Sequence, residues 1–231
     1  MKRILLLFAS AFISLGAGAQ AQKGLNTEDW AGFGRYAQAN ETVSMGARAI
    51  FIGNSITDGW AKKYPDFFTS NNYIGRGIGG QVTSQMLVRF RADVLDLQPQ
   101  CVVILAGTND IAHNKGYISL ENICGNIVSM AELAKAHKIK VIICSVLPVY
   151  QYPWRQEVEN PAGKIIELND MLKTYAEKNG CVYADYHSAM KDERNGLPEK
   201  YAKDGVHPTA EGYVVMQGII KPVIDKAVGK K

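Results

Sequence analysis

Three side chains in this sequence are of the types needed for nucleophilic catalysis. Ser55 follows the apolar pair Phe51-Ile52 and then Gly53-Asn54, and Asp204 and His207 share the segment Asp204-Gly205-Val206-His207-Pro208. A serine hydroxyl is a poor nucleophile until a base takes its proton, and His207 is the candidate base. Asp204 stands three residues earlier, near enough to hold the imidazole tautomer that leaves Nε2 free for Ser55. The tetrahedral intermediate of acyl transfer also needs donors aimed at its oxyanion. The backbone N–H groups of Ser55 and Gly80 and the side-chain amide of Asn109 are candidates. A glycine at position 80 would let the backbone approach a substrate closely. Each residue also has a plain structural explanation. Ser55 could cap the helix after it, and Asp58 reads as the acid of a capping box. Asn109 and the glycines around 80 could serve turns, and His207 could simply precede a helix start at Pro208 and Thr209. The combination is much more specific than its members.

For these residues to meet, the chain must bring distant segments to one edge. Short apolar runs at 47–54, 101–107, 140–148 and 181–186, with a weaker one at 71–80, read as strands buried on both faces. Between and around them, 26–42, 83–95, 119–138, 161–180 and 209–228 carry helical spacing or helix-cap signals, with Pro222 an expected bend in the last. Strand and helix alternate five times, which predicts an α/β fold: a parallel sheet covered on both faces, in the flavodoxin-like order 2-1-3-4-5. Ligands of open parallel sheets bind beyond the carboxyl ends of the strands. Ser55, the glycines at 77, 79 and 80, and Asn109 all lie just after strands. The connections 107–118, 149–160 and 187–208 are longer than usual and are candidates for function.

The chain has 231 residues, 47% apolar and 21% charged, which suits one soluble domain. Residues 1–21 read as a signal peptide: Lys2 and Arg3, an apolar run from Ile4 to Leu15, then small residues around Ala17, Ala19 and Ala21. That predicts export to a bacterial periplasm or beyond, with a single domain over 22–231. No cysteine follows the small residues, so no stable membrane anchor is expected. Cleavage lowers the net charge from +4 to +2 by removing Lys2 and Arg3, too little to suggest nucleic acid as a partner. Cys101, Cys124, Cys144 and Cys181 include no C-x-x-C pair, and burial as small hydrophobes is their expected role. No metal or other cofactor is expected. There is no G-x-S-x-G elbow, and the glycine run from Gly75 to Gly80 is a poor dinucleotide fingerprint because it follows the second strand.

The residues quoted fall into four blocks that resemble those of the SGNH hydrolases, also called GDSL-type esterases. The blocks are GNSITDG with Ser55, GIGGQ with Gly80, AGTND with Asn109 and DGVHP with Asp204 and His207. They come in the family's order between 51 and 208. The resemblance implies a flavodoxin-like three-layer fold, a serine nucleophile, no metal and ester hydrolysis. Asn54 departs from the nominal GDSL pattern, which has Asp there. The wording is similar to the platelet-activating-factor acetylhydrolase-like and sialate acetylesterase-like branches, implying short acyl groups, acetyl above all. Trp60, Tyr150, Tyr152 and Trp154 lie near the candidate site in sequence and could stack on a sugar, which points to acetylated carbohydrate. They could equally fill the core or a loop. A lysophospholipase or thioesterase acting on lipid chains, and a carbohydrate-binding domain without catalysis, are the alternatives. The acyl donor and the oligomeric state are left open.

Overall fold

Apolar side chains on both faces of the three central strands call for cover on each side of the sheet, and helices supply it. The computed structural model describes residues 28–230. The expected leader at 1–21 lies outside the described residues, as do Asn26 and Thr27. Five strands form the sheet: β1 (Ala49–Gly53), β2 (Tyr73–Gly77), β3 (Cys101–Leu105), β4 (Lys140–Cys144) and β5 (Val182–Ala184). All pairs are parallel and the order is β2-β1-β3-β4-β5, as the alternation of elements predicts.

The side-chain period of two splits each strand between two cores. Ile50, Ile52, Val102 and Ile104 face α4 (Thr83–Phe90), α6 (Leu120–Ala136) and α7 (Pro161–Lys178). Phe51, Val103 and Leu105 face α2 (Ser55–Lys63), α3 (Pro65–Thr69), α8 (Tyr186–Met190) and α9 (Ala210–Val228). The result is the three-layer sandwich, with α1 (Ala37–Thr42) and α5 (Thr108–Ile111) as short additions. Cys101 and Cys144 end up in the core as small hydrophobes, and all four cysteines are free.

Two local differences from the sequence reading have physical causes. The single helix expected over 26–42 is broken. Gly32 takes φ +73°, ahead of a 3-10 turn at Phe33–Arg35, and only Ala37–Thr42 is α-helical. The connection after β5 carries the short helix α8, capped by the Asp185 carboxylate on the Ser188 N–H. Pro222 lies inside α9, and the helix continues beyond it to Val228.

The glycines at 75 and 77 answer to packing rather than to a nucleotide. A side chain at Gly77 would meet the Asp58 nitrogen at 2.2 Å and the Asn54 oxygen at 2.7 Å. Only a bare backbone lets the start of α2 lie this close to β2. That contact sets the position of the segment carrying Ser55.

Candidate active site

The first residue of α2 is Ser55, and it does not cap the helix. Asn54 does so, its side-chain oxygen accepting from the Ile56 N–H at 3.0 Å. The Ser55 side chain is thereby released from local duty, and as the first helical residue its N–H has no acceptor within the helix. Asp58 forms no capping box; it pairs with Arg35 and Lys62 at 3.3 and 2.8 Å.

Across the carboxyl edge of the sheet, the loop before α9 brings His207 to Ser55. The Ser55 hydroxyl and His207 Nε2 are 2.9 Å apart. The other ring nitrogen, Nδ1, lies 2.6 Å from the Asp204 carboxylate. Asp204 also accepts from the His207 and Val206 backbone N–H groups at 2.7 and 2.9 Å, so the loop wraps its own carboxylate. Burial pushes the Asp204 carboxyl up, but these hydrogen bonds outweigh it and hold the group below its ordinary value. A carboxylate kept ionised beside Nδ1 favours the tautomer with the proton on Nδ1 and the lone pair on Nε2.

The turn after β2 reaches the same edge. Ile78 donates its N–H to the Gly53 carbonyl at 3.1 Å, tying this turn to the end of β1. Gly80 adopts φ +76°, a conformation that suits glycine, and no atom lies within 4 Å of where its side chain would be. Asn109, in α5 after β3, is 4% exposed. Its amide nitrogen donates to the Gln81 carbonyl at 2.9 Å, which fixes it against the Gly80 turn. Asp110 clasps Thr83 from the same helix, accepting the Thr83 hydroxyl at 2.6 Å and its N–H at 3.0 Å. Beneath them Arg89, fully buried, donates to Gln81 Oε1, to the Gly53 and Arg76 carbonyls and to the Asp93 carboxylate. One guanidinium therefore joins the ends of β1 and β2 to the glycine turn.

The aromatic residues separate. Trp60 is 1% exposed and packs among Phe51, Phe67, Phe68 and Tyr213, so it is core and not a substrate contact. It lies four residues after Ile56, on the buried face of α2, a spacing readable from the sequence. Tyr152 is likewise fully buried, its hydroxyl 2.9 Å from that of Thr108. Tyr150 is exposed and carries Arg194 over its ring. Trp154 alone meets the candidate triad: it is 41% exposed, and its ring centre lies 6.1 Å from that of His207. Sequence reasoning missed Asn54, Gln81, Arg89 and Asn114. Only Asn54 had a local signal, as a cap residue directly before a helix.

Residues 51–215 match the GDSL-like Lipase/Acylhydrolase family. A solved GDSL-like lipase from Bacteroides thetaiotaomicron VPI-5482 is 48% identical and superposes with a TM-score of 0.84, covering 86% of this chain and 100% of that one. An uncharacterized lipoprotein of Bacillus subtilis strain 168 is 28% identical over 155 residues, 65% of this chain but only 59% of that protein. An acetylxylan esterase of Geobacillus stearothermophilus is 19% identical over 203 residues, 75% of this chain and 92% of that enzyme. The chain belongs to the GDSL-like lipase/acylhydrolase family of ester hydrolases.

Proposed function

We propose that this chain is a serine esterase that removes short acyl groups, acetyl in particular, from carbohydrate esters. The observation that carries the mechanism is the continuous chain from the Ser55 hydroxyl through the His207 ring to the Asp204 carboxylate, at 2.9 and 2.6 Å. In the first step Ser55 Oγ attacks the ester carbonyl while His207 Nε2 takes its proton, and Asp204 steadies the imidazolium that forms. The Ser55 and Gly80 N–H groups and the Asn109 amide stabilise the oxyanion. Collapse expels the alcohol, which leaves with the proton from His207 and gives an acyl-serine. Water then attacks with His207 again as base, and the acid is released as Ser55 recovers its proton.

The acetyl and carbohydrate assignment draws on two observations. Trp154 offers a half-exposed ring face beside His207, suited to stacking on a sugar. The distant likeness to an acetylxylan esterase is in keeping with this reading. We further propose that residues 1–21 are removed on export, leaving one domain over 22–231. No described helix is long and apolar enough to cross a membrane.

A turnover panel tests the substrate. Nitrophenyl esters of rising acyl length are compared with acetylated mono- and oligosaccharides. A steep preference for acetyl, with acetate released from the sugars, is expected. Rates that climb with chain length would replace this reading with a lipid-directed acylhydrolase.

A further inference from the structure

Primary amides pose a problem for an oxyanion site. The two ends of an asparagine side chain have almost the same shape, and only one is a donor. If Asn109 presents its N–H₂ to the oxyanion, something must prevent the amide from turning over.

A line of hydrogen bonds does this. Trp154 Nε1–H donates to Asn114 Oδ1 at 2.9 Å. Asn114 Nδ2–H donates to Asn109 Oδ1 at 3.0 Å. Asn109 Nδ2–H donates to the Gln81 carbonyl at 2.9 Å, and its second N–H makes no hydrogen bond among the described residues. The ends of this line are chemically one-way. An indole N–H can only donate, and a backbone carbonyl can only accept. Between them each amide has one orientation that satisfies both neighbours. Turning Asn109 over would set oxygen against the Gln81 oxygen and nitrogen against the Asn114 nitrogen, in a site where Asn109 is 4% exposed. Unmatched polar contacts in such a setting are costly.

We propose that Asn114 is a positioning residue for the oxyanion donor Asn109, and that the Trp154 indole N–H sets the direction of the relay. Trp154, proposed above to stack on the sugar beside His207, thereby also orients the group that stabilises the transition state. The assignment rests on the reading of Asn109 as an oxyanion donor.

The experiment is a set of variant cycles, with kcat and KM measured on p-nitrophenyl acetate. Asn109→Ala should lower kcat about a hundred- to a thousandfold. Asn114→Ala should lower kcat about five- to tenfold with KM little changed, the size of one neutral hydrogen bond. Asn114→Asp should fall further than the alanine variant, because a carboxylate facing Asn109 Oδ1 favours the reversed amide. Trp154→Phe keeps the ring, loses the N–H and should fall in the same direction; it also serves as the second probe if the Asn114 variants fold poorly. In an Asn109→Ala background, Asn114→Ala and Trp154→Phe should change kcat no further, since the amide they orient is gone. Losses that multiply fully in that background would overturn the relay while leaving the role of Asn109 intact. Wild-type kcat in Asn109→Ala would overturn both.

Discussion

Asp110 should make this fold less stable as pH rises through the mildly acid range, and the effect can be isolated in one variant. The carboxyl is 1% exposed. Burial pushes it from 3.8 to about 6, only partly opposed by the hydrogen bonds from the Thr83 hydroxyl and N–H. Folding therefore binds a proton more tightly than the unfolded chain does. The native state gains full benefit from that proton below the unfolded value, and the benefit is lost as pH climbs through about 6. From pH 4 to pH 7 the loss works out at about 2 kcal/mol, at 1.36 kcal/mol for each tenfold change in proton affinity. Asp110→Asn keeps an acceptor for the Thr83 N–H and removes the titration. Urea unfolding of both proteins at several pH values gives the stability difference, in which every other titrating group cancels. Wild type minus variant should fall by about 2 kcal/mol across this window, most steeply near pH 5, midway between the unfolded and folded values. A flat difference, or one that rises with pH, would refute the account of Asp110 as a buried carboxyl held short of compensation.

Other expectations concern the core and the triad. Trp60→Ala should destabilise the fold by about 3–5 kcal/mol in urea unfolding, as loss of a fully buried indole does, while acetyl-ester turnover by the remaining folded protein stays near wild type. Asp204→Asn should leave stability near wild type and lower kcat on the order of a thousand- to ten-thousandfold, since Nδ1 then has no ionised partner to fix the tautomer.

How much of this was readable beforehand depended on whether a local pattern carried it. The strand order followed from five buried apolar runs with helices between them, because covalent connection and right-handed crossover leave few topologies. Ser55, Gly80, Asn109, Asp204 and His207 stood out because each directly follows a strand or sits in a long connection. Of the two readings open for Trp60, a sugar contact and core packing, the structure takes the second despite its nearness in sequence to Ser55. Its spacing from Ile56, not its distance from the nucleophile, decides which way a helical side chain faces. The break at Gly32 was signalled by two glycines but outweighed by the acids and cap residues before it. Asn114, Gln81, Arg89 and Asp110 had no local mark, because most of their work is done by contacts with residues far away in the chain, up to 50 positions. Such partners are fixed by the packed fold and leave no periodicity to read.

The account turns on whether Ser55 is the nucleophile, and covalent capture tests this most directly. The purified protein is treated with a fluorophosphonate, digested and mapped by mass spectrometry. One adduct is expected, on the Ser55 hydroxyl. It should be absent from Ser55→Ala and form far more slowly in His207→Ala. Adduct formation at another residue, or equal labelling of Ser55→Ala and wild type, would contradict it.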